Sequence, residues 1–133
     1  MIYSGEIVVP ANTSKAIPIS DQVDVVQGVV RKVWVRWRWG SANLCGCKVF
    51  RGGFQLWPSS LGEWFPSNVQ DVAFDAEYEV TAEPFHFIIR AYNLDDTYDH
   101  TLWVGFSLLR GSMVGNLLGM LRVLGGRQDN WQT

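Results

Sequence analysis

Three groups of residues carry chemistry by type. The first is Cys45-Gly46-Cys47. In a strand both thiols face the same way, and a disulfide between them would be strained. Two thiols alone do not complete a zinc site. They read as a pair of small buried residues in a chain that folds under reducing conditions. The second group is Asp95, Asp96 and Asp99, with Asp71 or Asp75 as possible additions. Calcium needs six to eight oxygens, and this is not the spaced EF-hand loop. These acids read as solvated turn residues, with Asn93 and Asp95 suited to Asx-turns. The third group is the two histidines. His86 alternates with core-type aromatics, His100 stands where a loop enters a strand, and both read as structural. No H-E-x-x-H, G-x-S-x-G or phosphate loop occurs. The expectation is a chain that is not an enzyme, with no catalytic residue, no cofactor and no metal.

One further stretch could recognise a ligand. In residues 28–39, Lys32, Trp34, Arg36 and Arg38 alternate with Val33, Val35, Trp37 and Trp39. Simple alternation places Val29 with the apolar set, Val30 with the basic set, and leaves Arg31 as an exception. The basic face reads as solvated, its Arg stems covering Trp34. The rival reading is a platform for a sugar, a nucleic acid or an acidic partner. A net charge of −2 argues against a general nucleic-acid binder. Lys and Arg outnumber Asp and Glu seven to three in residues 1–60 and are outnumbered four to ten in residues 61–133, which allows contacts between complementary patches.

The elements that must position these residues are strands. Phe85, Phe87, Ile89 and Ala91 alternate with His86, Ile88, Arg90 and Tyr92, and Leu102, Val104, Phe106 and Leu108 alternate with Thr101, Trp103, Gly105 and Ser107. Period two is what a strand with one buried face requires. The turn-rich loop 93–99 between them makes direct antiparallel pairing the economical reading. Further strands fall at Glu6–Val9, Lys15–Ile19, Gly28–Trp39, Leu44–Arg51, Phe54–Trp57 and near Val72–Phe74, with Tyr78 and Val80 leading into the central pair. Gly40–Asn43 and Gly52-Gly53 read as hairpin turns. With 133 residues, 13 glycines and an aromatic share of 14%, this predicts one all-β domain. The form expected is an antiparallel, jelly-roll-like β-sandwich of about eight strands.

After residue 110 the pattern changes. Ser112 suits a helix cap, Met113 to Leu124 is apolar nearly all round, and Gly125-Gly126 suits a stop. The expected organisation is a sandwich over 1–110, a short apolar C-terminal helix over 111–125 and a polar tail over 126–133. The helix is too short to span a bilayer, and the start of the chain lacks a signal-peptide pattern. So apolar a segment needs cover, and a subunit interface is the expected one.

Val9-Pro10-Ala11-Asn12-Thr13, Gly28-Val29-Val30, Gln55-Leu56-Trp57-Pro58, Gly62-Glu63-Trp64 and Tyr92-Asn93-Leu94-Asp95 leading to His100 together span residues 6–109. Their running pattern resembles small virion structural proteins of tailed bacteriophages, of the head-decoration or neck-associated kind. The apolar segment after Gly111 lies outside that pattern. The resemblance implies a sandwich or barrel that forms trimers or rings on a capsid. Such a protein assembles in the host cytoplasm with other virion proteins, without nucleic acid or membrane. Candidate subunit-interface residues are Trp57, Trp64, Phe65, Met113, Leu117, Leu118, Leu121 and Leu124, since buried aromatic anchors dominate interfaces. The alternative is a carbohydrate-binding module, with Trp34 and Trp103 exposed on one flat face.

Overall fold

A computed structural model describes residues 1–38, 40–41, 43–68 and 71–110. Met113, Leu117, Leu118, Leu121, Leu124 and the helix expected around them lie outside the described residues. The described chain is all-β, and it contains no helix. Its strands are β1 (Ile2–Val9), β2 (Ile19–Asp24), β3 (Gly28–Trp37), β4 (Cys45–Arg51), β5 (Phe54–Trp57), β6 (Phe65–Pro66), β7 (Asp71–Val80), β8 (His86–Asn93) and β9 (His100–Arg110).

These form two antiparallel sheets. One has the order β1-β9-β3-β7 and the other β2-β8-β4-β5, with β6 sharing the free edge of β4. The inner faces of both sheets contribute to one core cluster. Phe87 of β8 and Phe106 of β9 stack at its centre, with ring centroids 4.4 Å apart and planes 23° from parallel. Offset stacking at this distance is a favoured aromatic geometry and adds to the area both rings bury.

That contact corrects the expected pairing. The alternation of both strands is as read: Phe87, Ile89, Ala91, Leu102, Val104, Phe106 and Leu108 are all buried. Yet β8 and β9 lie in opposite sheets, and the 93–99 loop carries the chain across the layer. Strand β8 pairs with β2 and β4, and β9 pairs with β1 and β3. Alternation reports which side of a strand is buried, not whose hydrogen bonds it completes. The same correction applies to Gly40–Asn43. It joins β3 to β4 across the layer and is not a hairpin. Gly52-Gly53 does close a hairpin, between β4 and β5, with both glycines at positive φ.

Strand β3 breaks register between Val30 and Lys32, against both of its neighbours. Arg31 is the extra residue of this bulge and points to solvent. The bulge reverses the face assignment before it, as one added residue must. Val30 therefore joins Val33, Val35 and Trp37 in the core, while Val29 is only half-buried. Lys15–Ile17 is bend rather than strand. Strand β7 runs unbroken for ten residues, with Val72, Phe74, Ala76, Tyr78 and Val80 turned inward.

The stacked pair yields a stability prediction. Phe87→Ala should cost about 3–5 kcal/mol, the usual range for a large aromatic lost from a core. Chemical denaturation of wild type and variant measures it. An unchanged midpoint would place Phe87 outside the core.

Candidate functional site

Register explains where the aromatic residues of the second sheet go. Trp57 of β5 stands opposite Val49 and Phe65 of β6 stands opposite Cys47, two inward positions on β4. Both rings therefore enter the space between the sheets. Trp64, one residue before Phe65, turns to the outer face. Trp57 meets Phe74 at 6.0 Å, Tyr78 at 5.7 Å, Phe87 at 5.9 Å and Phe106 at 6.2 Å between centroids. Phe65 meets Phe74 at 5.7 Å. β5 and β7 are sheet edges on the same side of the molecule. They do not close on each other. A groove of about 480 Å³ remains between them, lined by Leu56, Trp57, Phe65, Phe74, Ala76 and Tyr78, with Asp75 and Glu77 at its rim. Arg51 anchors the end of the seam, donating to the Tyr78 hydroxyl at 3.1 Å and to the Pro84 carbonyl at 3.0 Å.

Of the expected interface residues, the fold thus brings Trp57 and Phe65 together and sends Trp64 elsewhere. Trp64 packs edge-on against Tyr92 at 4.8 Å, under the Lys48 ammonium at 4.0 Å. Tyr92 lies over Gly46 so closely that a Cβ there would come within 2.5 Å of the ring. Lys15 sits over the other part of this cluster, 4.9 Å from the Tyr92 centroid, and Arg90 lies 4.4 Å from Phe50. Lys48 and Arg90 are direct cross-strand neighbours. Burial, and then the neighbouring Arg90 charge, lower the Lys48 pKa. This cationic and aromatic cluster is not legible in the sequence, because Lys48 and Arg90 meet through strand pairing and Lys15 and Trp64 reach them from outside the strands.

The outer face of the first sheet holds the other tryptophans. Trp34 and Trp103 approach to 6.3 Å at 47°. Trp103 folds over Gly105, the cross-strand neighbour of Trp34. Lys32 lies 5.7 Å from the Trp34 centroid and Arg36 5.8 Å from that of Trp103. Arg36 is also held by Asp71 at 2.7 Å. The two rings do share a face, but they are tilted to each other and partly covered by cations.

The groups that carried chemistry by type resolve into a structural latch at one end of the sandwich. Asn93 is fully buried. Its side-chain N–H groups donate to the Val9 carbonyl at 3.1 Å and the Tyr98 carbonyl at 2.9 Å. Its Oδ1 accepts from the Asp95 N–H at 2.9 Å and from the Cys45 thiol at 3.3 Å. Its backbone exchanges two hydrogen bonds with Thr13. A buried amide satisfied on all sides rigidifies what it joins, here β1, β4 and the 93–99 crossing. Asp95 accepts from the Thr97 and Tyr98 N–H groups and from His100 Nε2, at 2.9, 3.3 and 2.8 Å. The Thr97 bond, followed by that from His100, lowers the Asp95 pKa. Asp99 accepts from the Ala11 N–H. Asp95 and Asp99 are thus hydrogen-bonded loop-closers rather than freely solvated acids.

The thiols do not gain reactivity from this neighbourhood. Burial, with a smaller effect from the Asp95 charge, pushes Cys45 up to about 12. Burial alone raises Cys47. A nucleophilic cysteine needs the opposite shift. Among the described residues, no group of three or more His, Cys, Asp and Glu side chains could hold a metal ion. No helix among them is long and apolar enough to cross a membrane.

No protein-family model matches the chain, and no curated protein matches it.

The latch predicts an acid dependence. A depressed carboxylate pKa contributes stability above the unfolded value of about 3.9, and this is lost as pH falls through the folded value. Denaturant midpoints should therefore decline below about pH 4. Asp95→Asn should flatten that decline relative to wild type. Equal slopes in the two proteins would assign the acid sensitivity to other carboxylates. Thiol titration gives a second check: Cys45 and Cys47 should be unreactive in the native protein and react on unfolding.

Proposed function

We propose that this protein is a non-enzymatic virion subunit, a jelly roll with a C-terminal helix, that assembles with copies of itself and with other virion proteins. The observation that carries this reading is the paired strand order. The orders β1-β9-β3-β7 and β2-β8-β4-β5 correspond to two interleaved Greek keys, the winding of a jelly roll, with β6 as an addition. That architecture recurs in viral capsid domains and in lectins. Architecture alone does not specify function. The resemblance of residues 6–109 to small tailed-phage proteins of the head-decoration or neck-associated kind favours the virion. Such a subunit is assembled in the host cytoplasm and joins a trimer or ring.

Unpaired edges and exposed apolar side chains support assembly. β5 and β7 leave one flank of both sheets without a partner strand. Next to Trp64, Leu61 is 82% exposed, and Phe54 at the β4–β5 turn is 77% exposed. Large side chains held this far into solvent are available to contact another subunit. Trp57, Trp64 and Phe65, with Met113, Leu117, Leu118, Leu121 and Leu124, supply the apolar surface that subunits bury. The experiment is the native mass of the full chain. The expected result is a discrete trimer or ring, and Leu61→Asp should lower its association constant at least tenfold without changing the denaturant midpoint. A single 15.1 kDa species at all micromolar concentrations would overturn the assembly reading.

Carbohydrate binding is the second reading, and the proximity of Trp34 and Trp103 on one outer face favours it. Lys32 and Arg36 work against it, because they occupy ring surface that a sugar would need. A glycan array run with wild type and Trp103→Ala decides this point. Signal on the array that vanishes in the variant establishes the sugar site, and a blank array for wild type eliminates it.

A further inference from the structure

Strand β7 is hydrogen-bonded along one edge only, to β3. Among the described residues, no strand lies beside its other edge, and no loop hydrogen bond takes up that side. In an antiparallel strand, every second residue turns both its N–H and its C=O toward the same edge. Residues Asp71–Val80 therefore offer a long row of donors and acceptors without a ladder partner among the described residues. The same edge borders the groove of about 480 Å³. A strand laid along β7 would face Leu56, Trp57 and Phe65 across that groove.

The side chains of β7 restrict what such a strand can carry. In an antiparallel ladder, directly opposite residues share a face. Residues opposite Phe74, Ala76 and Tyr78 would turn into the groove, against half-buried and mostly aromatic surface. Residues opposite Asp75, Glu77 and Glu79 would turn outward, beside exposed carboxylates. Asp71 is held by Arg36, and Lys32 stands across from Asp75 in register. Among the described residues, Asp75, Glu77 and Glu79 nevertheless make no ion pair. The edge thus selects alternation, with large apolar side chains inward and Lys or Arg outward. From Phe74 to Tyr78 the inward row runs about 13 Å.

A second copy does not supply this strand from its described residues. Its edge strands β1, β2, β5 and β7, and the short β6, contain no Lys or Arg. β1 carries Glu6, and β2 carries Asp21 and Asp24. The strands that do carry Lys or Arg are β3, β4, β8 and β9, and each is already paired on both sides. Two β7 edges would bring like charges face to face. We infer that the β7 edge and its groove bind an extended segment of another protein, in which Lys or Arg alternates with large apolar residues, as an added strand of the first sheet. The inference deepens the assembly reading and rests on it, since it gives the Trp57 and Phe65 contact a partner other than a copy of this chain. Trp64 and Leu61 do not line the groove and remain for contacts between copies.

The test is a titration of the full chain with the labelled peptide Lys-Val-Lys-Leu-Lys-Val-Lys, followed by fluorescence anisotropy and by amide hydrogen exchange. A block peptide of the same composition, Lys-Lys-Lys-Lys-Val-Leu-Val, and an acidic one, Glu-Val-Glu-Leu-Glu-Val-Glu, serve as comparisons. The alternating basic peptide should bind saturably and at least tenfold more tightly than either. It should also slow exchange at alternate amides between Ala73 and Glu79. Glu77→Lys with Glu79→Lys should weaken its binding at least tenfold, and the denaturant midpoint should hold because both positions are exposed. If that variant unfolds, the peptide comparison and the exchange pattern of wild type decide. Absence of saturable binding would overturn the inference. So would equal affinity for the block peptide, which needs only charge attraction. Alternate amides of β7 that are already protected before peptide is added would also overturn it, the edge then being taken by the chain itself or by a copy. Native mass of the free protein reports self-assembly separately. A monomer there counts against the assembly reading, and refusal of the peptide by an assembled protein counts against the added strand alone.

Discussion

The contact of Phe87 with Phe106 is the constraint on which the rest depends. It is the point at which the two layers are held face to face, one ring from each sheet. Trp57 and Tyr78 reach that pair from the flank, within 5.9 and 6.3 Å of Phe87. The aromatic core is therefore continuous from the centre of the sandwich to its open edge. The groove at that edge is lined mainly by strand residues of β5, β6 and β7, with Pro58 and Ser59 of the following loop.

The two ends of the arrangement are treated differently. Where the chain crosses from β8 to β9, a layer change would leave backbone groups without ladder partners. Asn93 meets that need with a satisfied side chain and a two-bond exchange with Thr13. Asp95 then organises the loop through the Thr97 and Tyr98 N–H groups and His100. The β5–β7 flank is tied at one end by Arg51, which donates to the Tyr78 hydroxyl and the Pro84 carbonyl. It is finished with aromatic surface and a row of exposed carboxylates at Asp71, Asp75, Glu77 and Glu79. Charge on a long edge strand opposes uncontrolled strand addition.

Both outer faces repeat one device. An aromatic ring folds over a glycine, Trp103 over Gly105 two residues along its own strand and Tyr92 over its cross-strand partner Gly46. Cations then lie against these aromatics or their neighbours. The device covers an otherwise bare stretch of sheet and turns basic residues into surface packing. It gives Trp103, and Trp34 and Trp64 beside these rings, a packing role on the sheet surface.

Much of the fold is legible in the order of the residues. The period-two pattern of residues 85–91 and 101–109 marks their buried faces, because alternation follows directly from strand geometry. The inward Cys45, Cys47 and Val49, the Gly52-Gly53 hairpin and the stop at Pro58 are readable for the same local reasons. Pairing is not. Residues 93–99 look like a hairpin loop because turn chemistry is the same whether a chain folds back beside itself or crosses to the facing layer. Simple alternation puts Val30 on the wrong face because a single extra residue, Arg31, reverses the pattern before it. Trp57 and Phe65 can be flagged by type, but that they share a groove with Phe74 and Tyr78 follows from β5, β6 and β7 meeting across the layer. The sequence by itself determined which side chains seek burial, since that depends on residue type and local period. Only the tertiary structure decided which of them meet, since strand pairing is set by long-range register and by the order in which the chain changes sheets.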